Sequence, residues 1–154
     1  VADDLRKLAH QILDFAPTVM RTVSSELRQT DYLLAPVHFR LLWLLEHHPS
    51  TLSELAERQM VSLPTMSNSI TFLEERGWVA RKRSSEDRRK VMIDITPQGR
   101  EVLVQTRQHM DEKVAQIIGE LSVEEQAKAS EGLSILKEAF IRHMENQCRE
   151  KEEG

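Results

Sequence analysis

The chain has 154 residues, 40% hydrophobic and 5% aromatic, which fits one domain, or one domain with a helical extension, able to bury roughly two-thirds of its surface. Its 21 Lys and Arg stand against 25 Asp and Glu, and this charged content with a net charge of -4 describes a soluble folded chain rather than a disordered one. The longest apolar runs, such as Leu41 to Leu45, are far short of the roughly 20 residues of a membrane helix, so no membrane span or membrane partner is expected.

Val1-Ala2-Asp3-Asp4 has neither a basic n-region nor an apolar h-region, so no signal peptide is expected. With no Met at position 1, an upstream segment is expected instead. Cys148 is the single cysteine; it cannot form an internal disulfide, which suits a reducing cytoplasm.

Five Gly and five Pro are few enough to support long helices. Leu5, Leu8, Ile12, Phe15, Val19, Val23 and Leu27 recur every three or four residues, the stripe of a helix about 25 residues long. Pro17 interrupts it, and a kink is expected there. A seam of this length calls for another helix, often from a second chain. Pro36 starts the next helix, with Val37, Leu41, Leu44 and Leu45 inward, and His47-His48-Pro49-Ser50 ends it.

Thr51 and Glu54 have capping-box spacing, with Ser53 the alternative N-cap, and a short helix follows with Leu55 and Ala56 inward. After a turn at Gln59 to Val61, Ser62 is the N-cap of a further helix and Pro64 sits in its first turn. Met66, Ile70 and Leu73 form its buried face, and Gly77 stops it.

The period then changes to two. Trp78 to Arg83 reads as a strand, and Val91, Ile93 and Ile95 alternate with Met92 and Asp94 in a second, joined by the polar loop Ser84 to Lys90. Thr96-Pro97 opens a helix running to about Ile118, and Gly119 and Ser122 mark a break. A last helix carries Ala129, Leu133, Leu136, Phe140 and Met144, and the charged tail 148–154 is expected to fray. The fold class is therefore mainly α (α+β): a helix-turn-helix followed by a two-strand hairpin, flanked by N- and C-terminal helices with unpartnered apolar stripes.

Charge is unevenly placed. From Arg76 to Arg100 there are eight Lys and Arg against three acids, a net +5, so the rest of the chain carries -9. A basic island in an acidic molecule suits a localised anion-binding surface, or else a solvated charged hairpin. Next to it, the helix after Ser62 presents Thr65, Ser67, Asn68 and Thr71. Short hydroxyls and an Asn can bond base edges, and a helix N-terminus favours phosphate. An ordinary solvated helix face is the bland alternative, and Phe72 fits such a polar face poorly. In the hairpin, Arg81, Lys82 and Arg83 lead to the tip Ser84 to Lys90, which can reach phosphate or insert an Arg into a minor groove. Asp87 cannot attract DNA, and is expected to orient an Arg by a carboxylate–guanidinium pair, or to serve as charge balance.

Four blocks in order now carry a resemblance: Leu52-Ser53-Glu54-Leu55-Ala56-Glu57-Arg58, Leu73-Glu74-Glu75-Arg76-Gly77-Trp78-Val79, Asp87-Arg88-Arg89, and Ile95-Thr96-Pro97-Gln98-Gly99-Arg100. Together they resemble the MarR (multiple-antibiotic-resistance regulator) family of transcription factors over about residues 51 to 101, and the flanking helices extend the likeness over nearly the whole chain. The resemblance implies a winged helix-turn-helix over 36–100, and a homodimer held by intertwined helices from 1–35 and 101–147. It implies binding to a double-stranded, pseudo-palindromic DNA operator with one recognition helix per half-site, repression being the family default. By position, the recognition helix is about Leu63 to Arg76, with Ser62, Pro64, Thr65, Ser67, Asn68, Thr71 and Arg76 as its candidate contacts. The wing spans Val79 to Ile95, with Arg81, Arg83, Asp87, Arg88, Arg89 and Lys90. Asp87 and Arg89 match the family's Asp-x-Arg motif, so Arg89 is the expected minor-groove residue, with Arg88 next. Many relatives carry basic residues where this chain has Asn68 and Phe72, which leaves the wing a larger share of the electrostatics.

The resemblance also implies a small aromatic or phenolic effector between the dimerisation helices and the DNA-binding part. Phe15, Met20, His38, Trp43 and the start of the long helix after Pro97 could line its pocket, although such residues at helical spacing are more often core. Redox sensing would need an exposed, low-pKa thiolate, and Cys148 in its charged tail reads rather as a bystander. Metal sensing would need converging ligands, and His10, His38, His47, His48, His109 and His143 form no such motif. No cofactor is expected. A winged-helix module that binds protein is the competing class, and the basic wing argues against it. An enzyme is not expected: there is no Gly-rich phosphate loop, nucleophile motif or pair of acids at catalytic spacing.

Overall fold

The computed structural model describes the backbone of residues 2–152 and the side chains of residues 3–147. The chain forms two compact units, one up to Glu112 and one from Lys113.

The first unit begins with α1 (Ala2–Gln29), a helix that runs through Pro17 without a break. Its stripe is mostly uncovered within one chain: Leu5, Leu8, Phe15 and Val19 are exposed, and only Leu27 is fully buried. α2 (Pro36–His47) buries Leu41, Leu42 and Leu45. Val37 and Leu44, expected on the inner face, pack at its margin, while Leu42, not expected there, is fully buried. Ser50–Thr51 form a two-residue strand, β1, and α3 (Leu52–Gln59) follows at once. Thr51, not Ser53, is its N-cap: the Glu54 carboxylate accepts from Thr51 N–H at 2.7 Å, and Glu54 N–H donates to the Thr51 hydroxyl at 3.3 Å. Left-handed Met60 ends α3.

α4 (Leu63–Glu75) buries Met66, Ile70 and Leu73 as expected. Gly77, at φ +73°, makes the turn into β2 (Val79–Arg83), a conformation that L side chains with a Cβ resist. β3 (Val91–Ile95) returns antiparallel, with Val79 opposite Ile95 and Arg83 opposite Val91. Val91 is exposed near the hairpin tip, so only Ile93 and Ile95 face inward. The sheet has three strands rather than two, in the order β1-β3-β2, because Ser50 pairs with Ile93 and Thr51 with Met92. α5 (Pro97–Ile118) is capped by Thr96, whose hydroxyl accepts from Gly99 N–H at 3.0 Å. Arg100 donates to the carbonyl of Glu46, and Arg107 lies 3.5 Å from its carboxylate, fastening α5 to the end of α2.

The second unit holds the end of α5 and α6 (Val123–Glu152). Ser122 caps α6 reciprocally with Glu125. Leu133, Phe140 and Met144 are exposed on it. The backbone is helical to Glu152. The side chain of Cys148 lies outside the described residues, and so do residues 153–154 in full.

Candidate nucleic-acid interface

Helix α4 stands where the sequence placed it. The Ser62 hydroxyl accepts from Thr65 N–H at 3.3 Å and shares a 2.8 Å hydrogen bond with the Thr65 hydroxyl. Pro64 and Asn68 are exposed, and Ser67 and Thr71 are half-buried. With Met66, Ile70 and Leu73 turned into the core, the line Pro64–Asn68–Thr71 points away from it, as the 3.6-residue period requires.

Phe72 is not a free surface contact. Its ring stacks on His38 at 4.0 Å between centroids, and the Arg76 guanidinium lies 3.4 Å from its centre. Two groups that close cannot share one face, so the ring is held between them. Arg76 also donates to the Phe72 carbonyl at 3.2 Å, so this candidate contact is engaged within its own helix. Trp78 closes the cluster edge-on to Phe72 and to Tyr32. Burial, and then the Arg76 charge, push the pKa of His38 below its ordinary 6.5.

Among the described residues, one ion pair joins the wing to α4. A guanidinium nitrogen of Arg81 lies 2.6 Å from the Glu74 carboxylate, so Arg81 is a tether between wing and helix. Lys82 lies 3.5 Å from Asp94 across the hairpin. Arg83, Arg88, Arg89 and Lys90 are exposed, and none of the four side chains has a hydrogen bond or ion pair among the described residues. Lys90 still acts through space on Glu54, whose pKa is lowered first by the main-chain N–H of Thr51 and further by the Thr51 hydroxyl, Arg58 and Lys90.

Asp87 does not pair with a guanidinium, contrary to the expectation. Its carboxylate accepts from the main-chain N–H of Arg89 at 3.0 Å, its carbonyl accepts from Lys90 N–H at 2.9 Å, and its own N–H donates to the Ser84 hydroxyl at 3.3 Å. Asp87 therefore builds the tight turn that carries Arg88 and Arg89, because a short carboxylate reaches the backbone two residues on more readily than a flexible guanidinium. Glu74 was not singled out from the sequence; an acid closing a helix and a base on the strand just after the glycine turn were the signal.

The four candidate pocket residues are not brought together. Phe15 and Met20 are exposed on α1, His38 is committed to Phe72, and the Trp43 ring lies 4.8 Å from that of His47. A depression on α1, lined by Arg21, Ser24, Ser25, Arg28 and Gln29, includes none of them. Among the described residues no group of three or more His, Cys, Asp or Glu could hold a metal ion, and no helix is long and apolar enough to cross a membrane.

The helix-turn-helix and its basic hairpin invite comparison with known proteins. The MarR family profile matches residues 34–91. The HTH-type transcriptional regulator YpoP of Bacillus subtilis is 33% identical over 113 residues, which are 70% of this chain and 77% of that protein. The chain belongs to the MarR family. YfiV, another HTH-type transcriptional regulator of B. subtilis, is 32% identical over 102 residues, 66% of this chain and 64% of its own, so the chain spans less than two-thirds of YfiV. FabT of Streptococcus pneumoniae, solved in complex with DNA, matches with a TM-score of 0.68 at 25% identity, covering 88% of this chain and 96% of that one. The MarR relatives named are transcriptional regulators and not enzymes. The short strand β1 is the third strand of this sheet and pairs with the middle of β3 just before the entry to α3.

Proposed function

We propose that the chain is a sequence-specific, DNA-binding transcriptional regulator of the cytoplasm. It works as a homodimer on a pseudo-palindromic operator, with one α4 in the major groove of each half-site. One observation carries this reading: the Arg81–Glu74 pair fixes the wing to α4 while Arg83, Arg88, Arg89 and Lys90 stay exposed and unpaired. Cations held on a hairpin next to a groove-sized helix suit phosphate contacts and a minor-groove arginine, with Arg89 first in line and Arg88 second. Ser67, Asn68 and Thr71 are the polar side chains for base edges, and Ser62 and Thr65 support that helix end. The exposed stripes of α1 and α6 support the dimer, since apolar seams of this length are costly to leave in water. Repression, and release by a small aromatic or phenolic acid, rest on the family resemblance.

The test is selection of genomic fragments by the purified protein at two salt concentrations. An inverted repeat with half-sites about one helical turn apart supports the regulator. Replacing Arg83, Arg88, Arg89 and Lys90 one at a time by Ala then lowers the salt slope by about 1 for each phosphate no longer neutralised. Weak, sequence-blind binding that moderate salt abolishes overturns the reading and favours a protein-interaction module.

A further inference from the structure

The first two turns of α4 offer base edges less polarity than their sequence suggests. Of the four hydroxyls between Ser62 and Ser69, three are engaged locally. Ser62 and Thr65 bond each other, and Ser69 donates to the Thr65 carbonyl at 3.2 Å. Pro64 has no N–H, so this helix end lacks one of the free donors that bind phosphate at other helix starts. The surface at this end is instead apolar: Leu63 is 50% exposed, Pro64 is exposed, and Met60 in the preceding turn is 91% exposed. Asn68 follows Pro64 by one helical turn on the same face. It is exposed, and its amide has no hydrogen bond among the described residues.

An apolar patch one turn from a free amide matches one feature of the major groove. Thymine is the base that offers a methyl group there, and adenine offers the N7 and N6 pair that an Asn can bond twice. The unpaired cations of the wing point to DNA as the occupant of this face. We propose that Leu63 and Pro64 are specificity-determining residues that pack on thymine 5-methyl groups, next to an adenine bonded by Asn68, so each operator half-site carries T and A at this place. This rests on the DNA-binding reading above.

The experiment uses the full chain and the inverted repeat recovered by selection. Each half-site thymine is replaced in turn by deoxyuridine, which removes the methyl and keeps the base pair. The expected result is one or two positions per half-site where affinity falls about fourfold, the worth of one buried methyl, with the salt slope unchanged. Leu63→Ala and Pro64→Ala, shown by circular dichroism and thermal melting to keep the fold, then bind the thymine and deoxyuridine operators alike. The proposal is overturned if no deoxyuridine position matters, or if both variants keep the wild-type preference for the methyl. Failure to recover any repeat overturns the DNA-binding reading itself, a result distinct from recovery of a methyl-insensitive one.

Discussion

Glu74 and Arg81 are seven residues apart in sequence and 2.6 Å apart in space, on opposite sides of the Gly77 turn. Both side chains remain about a third exposed, at 36% and 35%, so solvent screens the pair and it stabilises the fold by only about 0.5 kcal/mol. Its larger effect is on placement. Arg81→Ala and Glu74→Gln are expected to change urea stability by less than about 1 kcal/mol, yet both weaken operator binding. Glu74→Gln is the sharper test. It removes a negative charge near DNA, so if the pair has no positioning role, affinity rises instead.

Asp87 gives a comparable test of sign. Asp87→Ala makes the wing more positive but removes the acceptor for Arg89 N–H. Operator affinity is expected to fall about fivefold, in line with one lost turn hydrogen bond. Asp87→Asn keeps an acceptor oxygen and loses the charge, so it binds as well as wild type or better. Equal losses in the two variants would assign Asp87 an electrostatic role. Fluorescence anisotropy at fixed salt decides.

The helix boundaries were legible because each is written locally. Pro36, the Thr51–Glu54 pair, Ser62 with Pro64, Gly77 and Thr96-Pro97 stand where the backbone starts and stops. Less local facts were not legible. β1 is two residues long and shows no alternation, so it exists only through its pairing with β3. Leu42 is buried because α2 is covered on more than one side, which a single stripe does not express. The part played by Asp87 depends on which donor is nearest in a folded turn, and composition is blind to that. Within the interface, the wing cations stand exposed as read, whereas Arg76 and Arg81 are engaged by Phe72 and Glu74.

Among the described glycines, Gly99 has the closest neighbours. A Cβ there would lie 2.0 Å from the carbonyl oxygen of Trp78 and 2.9 Å from a side-chain carbon of Ile95. That carbonyl also accepts from Thr96 N–H at 3.0 Å, and the Thr96 hydroxyl donates to Gly77 at 2.6 Å, so the neighbour cannot yield freely. Gly99→Ala is expected to destabilise the protein by about 3 kcal/mol, measured by urea unfolding. A change within about 0.5 kcal/mol would mean that the α5 entry adjusts at little cost.

His38 ties stability to pH. Its pKa in the fold lies below 6.5, through burial and then the Arg76 charge, and Nδ1 faces the Ala35 N–H as an acceptor at 3.4 Å. Between the lowered value and 6.5 the unfolded chain binds the extra proton, so stability rises with pH there. The contribution is fully present above 6.5 and is lost as pH falls through the folded pKa. His38→Phe keeps a ring on Phe72 and is expected to flatten the slope of unfolding free energy against pH below 6.5. An unchanged slope would assign it to other groups.

The register of the sheet has a consequence for how this surface can diversify. Ser50 and Thr51 pair with Ile93 and Met92, at the middle of β3 and one residue toward the tip, and the turn residues 84–90 make no pairing with β1. The tip thus lies outside the strand ladder that supports it, and Lys90 meets the framework only through its charge near Glu54. Changes in the length of the turn leave the strand pairs intact, so the proposed DNA-binding surface can diversify by drift in seven residues, without a new fold having to evolve.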